Sequence, residues 1–197
     1  EDLATQISAM AQNDLARCLE SEADLDQAYL QGDTRVSDLV KAVNALKRQE
    51  TFGAIFHAAA HQACLARMHK RLQGLIATDS RGLEDQLGHL ASDHVETLTQ
   101  RLESVKDAAW CLKKEILDNI EKIGALCNGR HTALDPASTA IFHNINAVLN
   151  SIDHLEVRGR DSAGLSLLFI LDPDVFDRFQ KELENNTPAL KLEIEGR

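Results

Sequence analysis

His57, His61, Cys64 and Met68 follow one another at intervals of four, three and four residues. On a single helix that spacing puts all four side chains on one face. His-x3-His is a workable metal-ligand spacing, and thiolate and thioether suit soft metals. His94, in phase with the apolar positions of a later segment, could add a ligand. The surroundings favour another use. Ala58-Ala59-Ala60, Ala63 and Ala66 suit close helix packing, and the Glu-x-x-His pairs of di-iron bundles are missing. Metal ligation by His57 and His61 therefore stands second to an ordinary helix interface, and no cofactor is expected.

The other reactive residue types are scattered. Cys18, Cys64, Cys111 and Cys127 form no C-x-x-C pair, which excludes a zinc knuckle. They read as reduced, mostly buried thiols of a cytoplasmic protein. The acidic run Glu20-Ser21-Glu22-Ala23-Asp24-Leu25-Asp26 lacks the sixth-position Gly and closing Glu of a calcium loop and reads as a solvated helix face. Lys47-Arg48 and Lys113-Lys114 are isolated basic pairs. A Gly-rich phosphate loop and a nucleophile elbow are both missing.

One segment carries more information. Arg158-Gly159-Arg160-Asp161-Ser162-Ala163-Gly164 follows an amphipathic helix that ends in Leu155-Glu156. It precedes the apolar run Leu165-Ser166-Leu167-Leu168-Phe169-Ile170. Gly159 and Gly164 permit close backbone approaches, and the Asp161 carboxylate can accept backbone N–H bonds. The order resembles the start of the glutaminase domain of class II glutamine amidotransferases, of the glucosamine-6-phosphate synthase type, over about residues 141–170. In that family a helix, an L-E-Y-R-G-Y-D-S-A-G turn and a strand follow one another. The resemblance implies that Arg158, Gly159 and Asp161 shape the pocket without breaking the bond. It also implies glutamine and a sugar phosphate as partners of the full-length protein. Arg160 departs from the family's usual Tyr or Gln. The family's nucleophile is an N-terminal cysteine, whereas this chain begins with Glu1, so an inactive piece of a larger transferase is expected. Cys127 is internal and followed by Asn128, and does not replace that nucleophile.

Most of the chain must serve to position such a site. With 197 residues, 44% hydrophobic, 26% charged and 4% aromatic, it reads as a globular protein of aliphatic helices. A net charge of -10 repels phosphate backbones and anionic lipid, so neither nucleic acid nor membrane is an expected partner. No run approaches the ~20 apolar residues of a span, and no signal peptide is read. The closing Ile194-Glu195-Gly196-Arg197 matches a protease-cleavage linker as well as native sequence.

Apolar spacing predicts one helix over 2–31, broken at Gly32-Asp33, and capped anew by Asp33 or Thr34. A long helix follows over 34–77, kinked near Thr51–Gly53. Thr78-Asp79-Ser80-Arg81-Gly82 reads as a turn. A third helix of ~45 residues, ~65 Å long, runs from Leu83 through Leu98, Leu112 and Ile123. The two long helices form an antiparallel hairpin, and the exposed seam of the third allows a homodimer. Asp135-Pro136 and Asp172-Pro173 each open a further helix, the first with an apolar face from Ile141 to Leu155. Residues 165–171 read as a buried strand. The expected fold is therefore mainly α: a helical bundle over 1–130, then a partial α/β segment over 131–197. The alternative function is a non-catalytic helical interaction or dimerisation module.

Overall fold

The computed structural model describes residues 3–21, 24–129, 134–156, 168, 170 and 172–186. The described residues form ten α-helices, a 3-10 turn and a π-helical segment, with no strand among them. They fall into two compact units, 1–154 and 155–197.

In the first unit, α1 (Leu3–Ala11), α2 (Leu15–Glu20) and α3 (Leu25–Ala28) replace the single helix expected over 2–31. Two acidic side chains cause the breaks. Asp14 accepts from the Arg17 N–H at 2.9 Å, and Asp24 accepts from the Asp26 N–H at 3.0 Å. Each caps a new helix start instead of continuing the old one. The acidic run is thus a helix boundary at Asp24, while Glu22 and Ala23 lie outside the described residues.

A 3-10 turn over Tyr29–Gln31 leads into α4 (Gly32–Ala45). Here Leu30, Gln31 and Gly32 all have positive φ, at 52°, 61° and 81°. The break at Gly32 was legible, but neither Asp33 nor Thr34 caps α4. Asp33 reaches instead to Arg101, at 2.6 Å. That guanidinium, 4% exposed, also bonds the carbonyls of Leu25, Asp26 and Tyr29. It satisfies the backbone oxygens that the sharp turn leaves without helical partners.

The helix expected over 34–77 is three. Turn hydrogen bonds over Leu46–Arg48 end α4, and α5 (Gln49–Phe56) stops where Ala58 turns extended, at φ -119° and ψ 95°. Then α6 (Ala59–Gln86) runs straight through the turn expected at 78–82. Asp79, 1% exposed, faces the interior there and accepts from the Leu15 N–H at 3.3 Å. The real reversal lies at 87–91, around Gly88. After it α7 (Ser92–Trp110), the π-helical segment (Cys111–Leu117) and α8 (Asp118–Leu126) run on as one continuous helix. The helical hairpin therefore exists, with its turn several residues later than expected. The apolar sequence period does not change across either site, so only Gly88 marked the reversal.

Leu72, Leu98, Val105, Leu112 and Ile116 join Phe52, Phe56, Leu30 and Met10 in the shared core. Asp135 opens α9 (Pro136–Glu156) as expected, accepting from the Ser138 N–H at 2.8 Å. Its apolar face is only partly covered, with Ile145, Leu149 and Ile152 half-buried. Ile141 and Val148 are 45% and 44% exposed, while the deeply buried positions are Thr139 and Asn146, each 3% exposed.

In the second unit, α10 (Pro173–Asn186) begins after Asp172-Pro173 and leaves Phe176 and Phe179 half exposed. The buried strand expected over 165–171 finds no support. Leu168 and Ile170 have no regular structure and are 91% and 95% exposed. The other residues of that run lie outside the described residues. No described helix is long and apolar enough to cross a membrane.

Candidate functional site

The inward face of α9 is polar at helical spacing: Thr139, His143, Asn146 and Asn150. Two clefts open along it, and His143 lines both.

The first cleft, about 650 Å³, lies against the π-helical segment and α8. An amide ladder forms its floor. Asn119 Nδ2 donates to the Glu115 carbonyl at 2.8 Å, so its Oδ1 must face α9 as an acceptor. There it accepts from Asn146 Nδ2 at 3.0 Å and Asn150 Nδ2 at 2.9 Å. Asn150 Oδ1 in turn accepts from Lys122 Nζ. One backbone carbonyl thus sets the orientation of three amides. Asn146 Oδ1, on a side chain almost wholly buried, has no hydrogen-bond partner among the described residues.

Charges alternate around this floor. Lys47 Nζ lies 2.7 Å from Glu115, and Asp118 lies between Lys113 at 2.7 Å and Lys114 at 3.0 Å. Burial would raise the Glu115 carboxyl, but hydrogen bonds from Lys47 and Cys111 outweigh it and hold it below its ordinary value. The same balance, with Lys113 and Lys114 as donors, lowers Asp118. Both carboxylates are therefore ionised at neutral pH. Lys47 and Lys114, one from each of the basic pairs that looked isolated in sequence, both line this cleft, because α4 ends beside the π-helical segment. Trp110, 54% exposed, stands in the wall.

The second cleft, about 480 Å³, is more apolar and lies between α5 and the start of α9. The Phe52 and His143 rings meet there with centroids 4.6 Å apart. Burial lowers the His143 pKa, which keeps the imidazole neutral. His57 Nε2 lies 3.1 Å from Thr139 Oγ1. Since Thr139 gives its own hydrogen to the Asp135 carbonyl at 3.0 Å, it accepts from His57.

That bond settles the position of the first metal candidate. His57 ends α5 and His61 begins α6, so the two do not share a helix face. His61 is exposed, Cys64 and His94 are half-buried, and Met68 is buried. Among the described residues no group of three or more His, Cys, Asp or Glu is arranged to hold a metal ion. Cys127 is buried, with Sγ 3.3 Å from the Gly124 carbonyl. Cys111 is pushed up to about 12 by burial and by its bond to Glu115, so it stays a thiol. Arg158, Gly159 and Asp161 lie outside the described residues.

The clefts went unread in the sequence, although the stripe Thr139, His143, Asn146, Asn150 was a signal. It is a polar face at helical period in a helix with a competing apolar face. No family model matches this chain, and no curated protein or solved structure matches it.

Proposed function

We propose that this chain is the helical module and opening segment of a class II glutamine amidotransferase of the glucosamine-6-phosphate synthase type. In that reading the complete protein transfers ammonia from glutamine to a sugar phosphate. One observation supports it most: α9 leaves Ile141 and Val148 exposed and ends at Glu156, two residues before Arg158. Exposed apolar residues leading into an Arg-Gly-x-Asp-Ser-Ala-Gly turn suit a helix that a sheet covers. Arg158, Gly159 and Asp161 support the glutamine pocket. The nucleophile in that family is an N-terminal cysteine.

N-terminal sequencing and intact mass of the natural polypeptide, with glutamate release from glutamine, test this reading. It requires a heavier polypeptide beginning with cysteine, whose turnover an electrophilic glutamine analogue abolishes. A natural polypeptide of about this size starting near Glu1 refutes it. So does turnover by the present chain that Cys127→Ala removes.

The same exposed residues support a second reading, a non-catalytic helical module that associates with itself. A monomer at high concentration in light scattering counts against that.

A further inference from the structure

We infer that the cleft between α9 and the π-helical segment binds a small, uncharged polyhydroxylated molecule of the sugar or cyclitol class. The inference does not depend on the amidotransferase reading. Three features of the cleft carry it.

The first is Asn146. Its side chain is nine-tenths buried and lines the cleft, and the ladder through Asn119 fixes which amide atom is left over. That atom is Oδ1, an acceptor. An acceptor held in a fixed place on the cleft lining is met by a ligand donor. The missing group is therefore an O–H or N–H.

The second is the pairing of charge in the wall. Glu115 is matched by Lys47, and Asp118 by Lys113 and Lys114. Lys122 is held by Asn150, with Asp153 at 3.8 Å. Among the residues that line the cleft three lysines face two carboxylates, so a single positive charge is left over. What remains is a close alternation of donors and acceptors. A hydroxyl is both donor and acceptor, and several on one small ring match such a wall. Lys114 and Lys122 keep about half their side-chain surface exposed, 57% and 50%, so each can also bond a ligand oxygen.

The third is Trp110. Its half-exposed ring lines the same cleft. The negative face of an indole attracts the polarised C–H groups on the flat side of a sugar ring. The wall beside it is π-helical, with the Asp118 N–H bonded to the Lys113 carbonyl five residues back. Such segments occur often at functional sites.

Trp110 is the chain's single tryptophan, so its fluorescence reports on this place. The full chain is titrated with D-glucose, maltose and myo-inositol, and with glucose 6-phosphate for comparison. The expected result is a saturable change with at least one neutral probe. Lys122→Gln should weaken that binding roughly tenfold, as expected for losing one charged hydrogen bond, and Asn146→Ala should weaken it further. Circular dichroism checks that both variants fold, and Lys122→Gln decides the matter if Asn146→Ala does not. No saturable change with any neutral probe overturns the inference. Binding that requires the phosphate, or binding that Lys122→Gln leaves unchanged, overturns it equally.

Discussion

The Asp79 carboxylate, in the middle of α6, holds the backbone N–H of Leu15 at 3.3 Å and so fixes the start of α2 from 64 residues away. Burial raises this acid from 3.8 to about 6, against the lowering effect of the bonds from Leu15 and Tyr29, while Asp14 adds a raising charge. A raised carboxyl pKa means that the folded state holds the proton more tightly than the unfolded one. The contribution to stability is therefore full below about pH 4 and is lost as pH rises through about 6.

Asp79→Asn keeps the acceptor for Leu15 and removes the titration. The variant should match the parent near pH 4 and exceed it at pH 7 by on the order of 2–3 kcal/mol. Urea denaturation at a series of pH values measures the difference. Taking the difference cancels the opposite trend from Asp33, Glu115, Asp118 and Asp135, whose pKa values are lowered. Asp135 belongs to that lowered group because the Ser138 N–H bonds its carboxylate at the start of α9. A pH-independent gap between the two proteins would contradict this account.

Arg101 and Asp33 form an ion pair of unequal ends. The arginine side chain is 4% exposed and the aspartate 80%. Arg101→Met should cost about 3–5 kcal/mol, because Asp33 loses its partner and the carbonyls of Leu25, Asp26 and Tyr29 lose their donor in the interior. Asp33→Asn should cost less than about 1 kcal/mol, since its carboxylate is solvated and the carbonyls stay bonded. Equal losses in chemical denaturation would refute the view that Arg101 serves the backbone more than it serves the acid.

Gly32 sits at φ 81° and ψ 175°, directly after two left-handed residues. A Cβ there meets only the Gln27 carbonyl, at an ordinary 3.5 Å. The cost of Gly32→Ala is therefore conformational, about 1 kcal/mol. Gly53→Ala is the control, because a Cβ meets nothing within 4 Å there and φ is not positive. In the middle of α5 it should be neutral or stabilising. Thermal melts of the two variants should move in different directions.

The exposed apolar residues of α9 predict a change in association without a change in fold. Val148→Asp and Ile141→Asp replace residues that are already 44% and 45% exposed. Stability should change by less than about 1 kcal/mol, as for surface sites generally. Any self-association seen by light scattering at high concentration should fall. A large loss of stability would mean that these residues are covered within the monomer.

Helix content and the two Asp-Pro starts were legible in the sequence because caps act locally. Asp135 needs only Ser138 to begin a helix. The interior breaks were not, because they are decided by contacts across the chain. Thr78-Asp79-Ser80 looks like a turn until Leu15 supplies a donor for Asp79. The face of α9 was misread for a similar reason. Ile141 and Val148 belong to the more apolar stripe, yet they stay exposed while Thr139 and Asn146 go inward, where His57 and Asn119 bond them. Periodicity finds faces but does not say which face is covered. The cleft residues escaped because Lys47, Trp110, Asn119 and Asn150 come from separate elements and carry no motif.

The π-helical segment from Cys111 to Leu117 also sets a phase. Each α-helical residue advances the side-chain direction by about 100°, and a π turn absorbs roughly one residue more than an α turn. Downstream side chains therefore point where they do because the helix contains the equivalent of an inserted residue. If this stretch became ordinary α-helix with no residue removed, everything after it would rotate by about that angle. Asn119 and Lys122 would then turn away from Asn146 and Asn150 together, dismantling the amide ladder without altering one of its side chains.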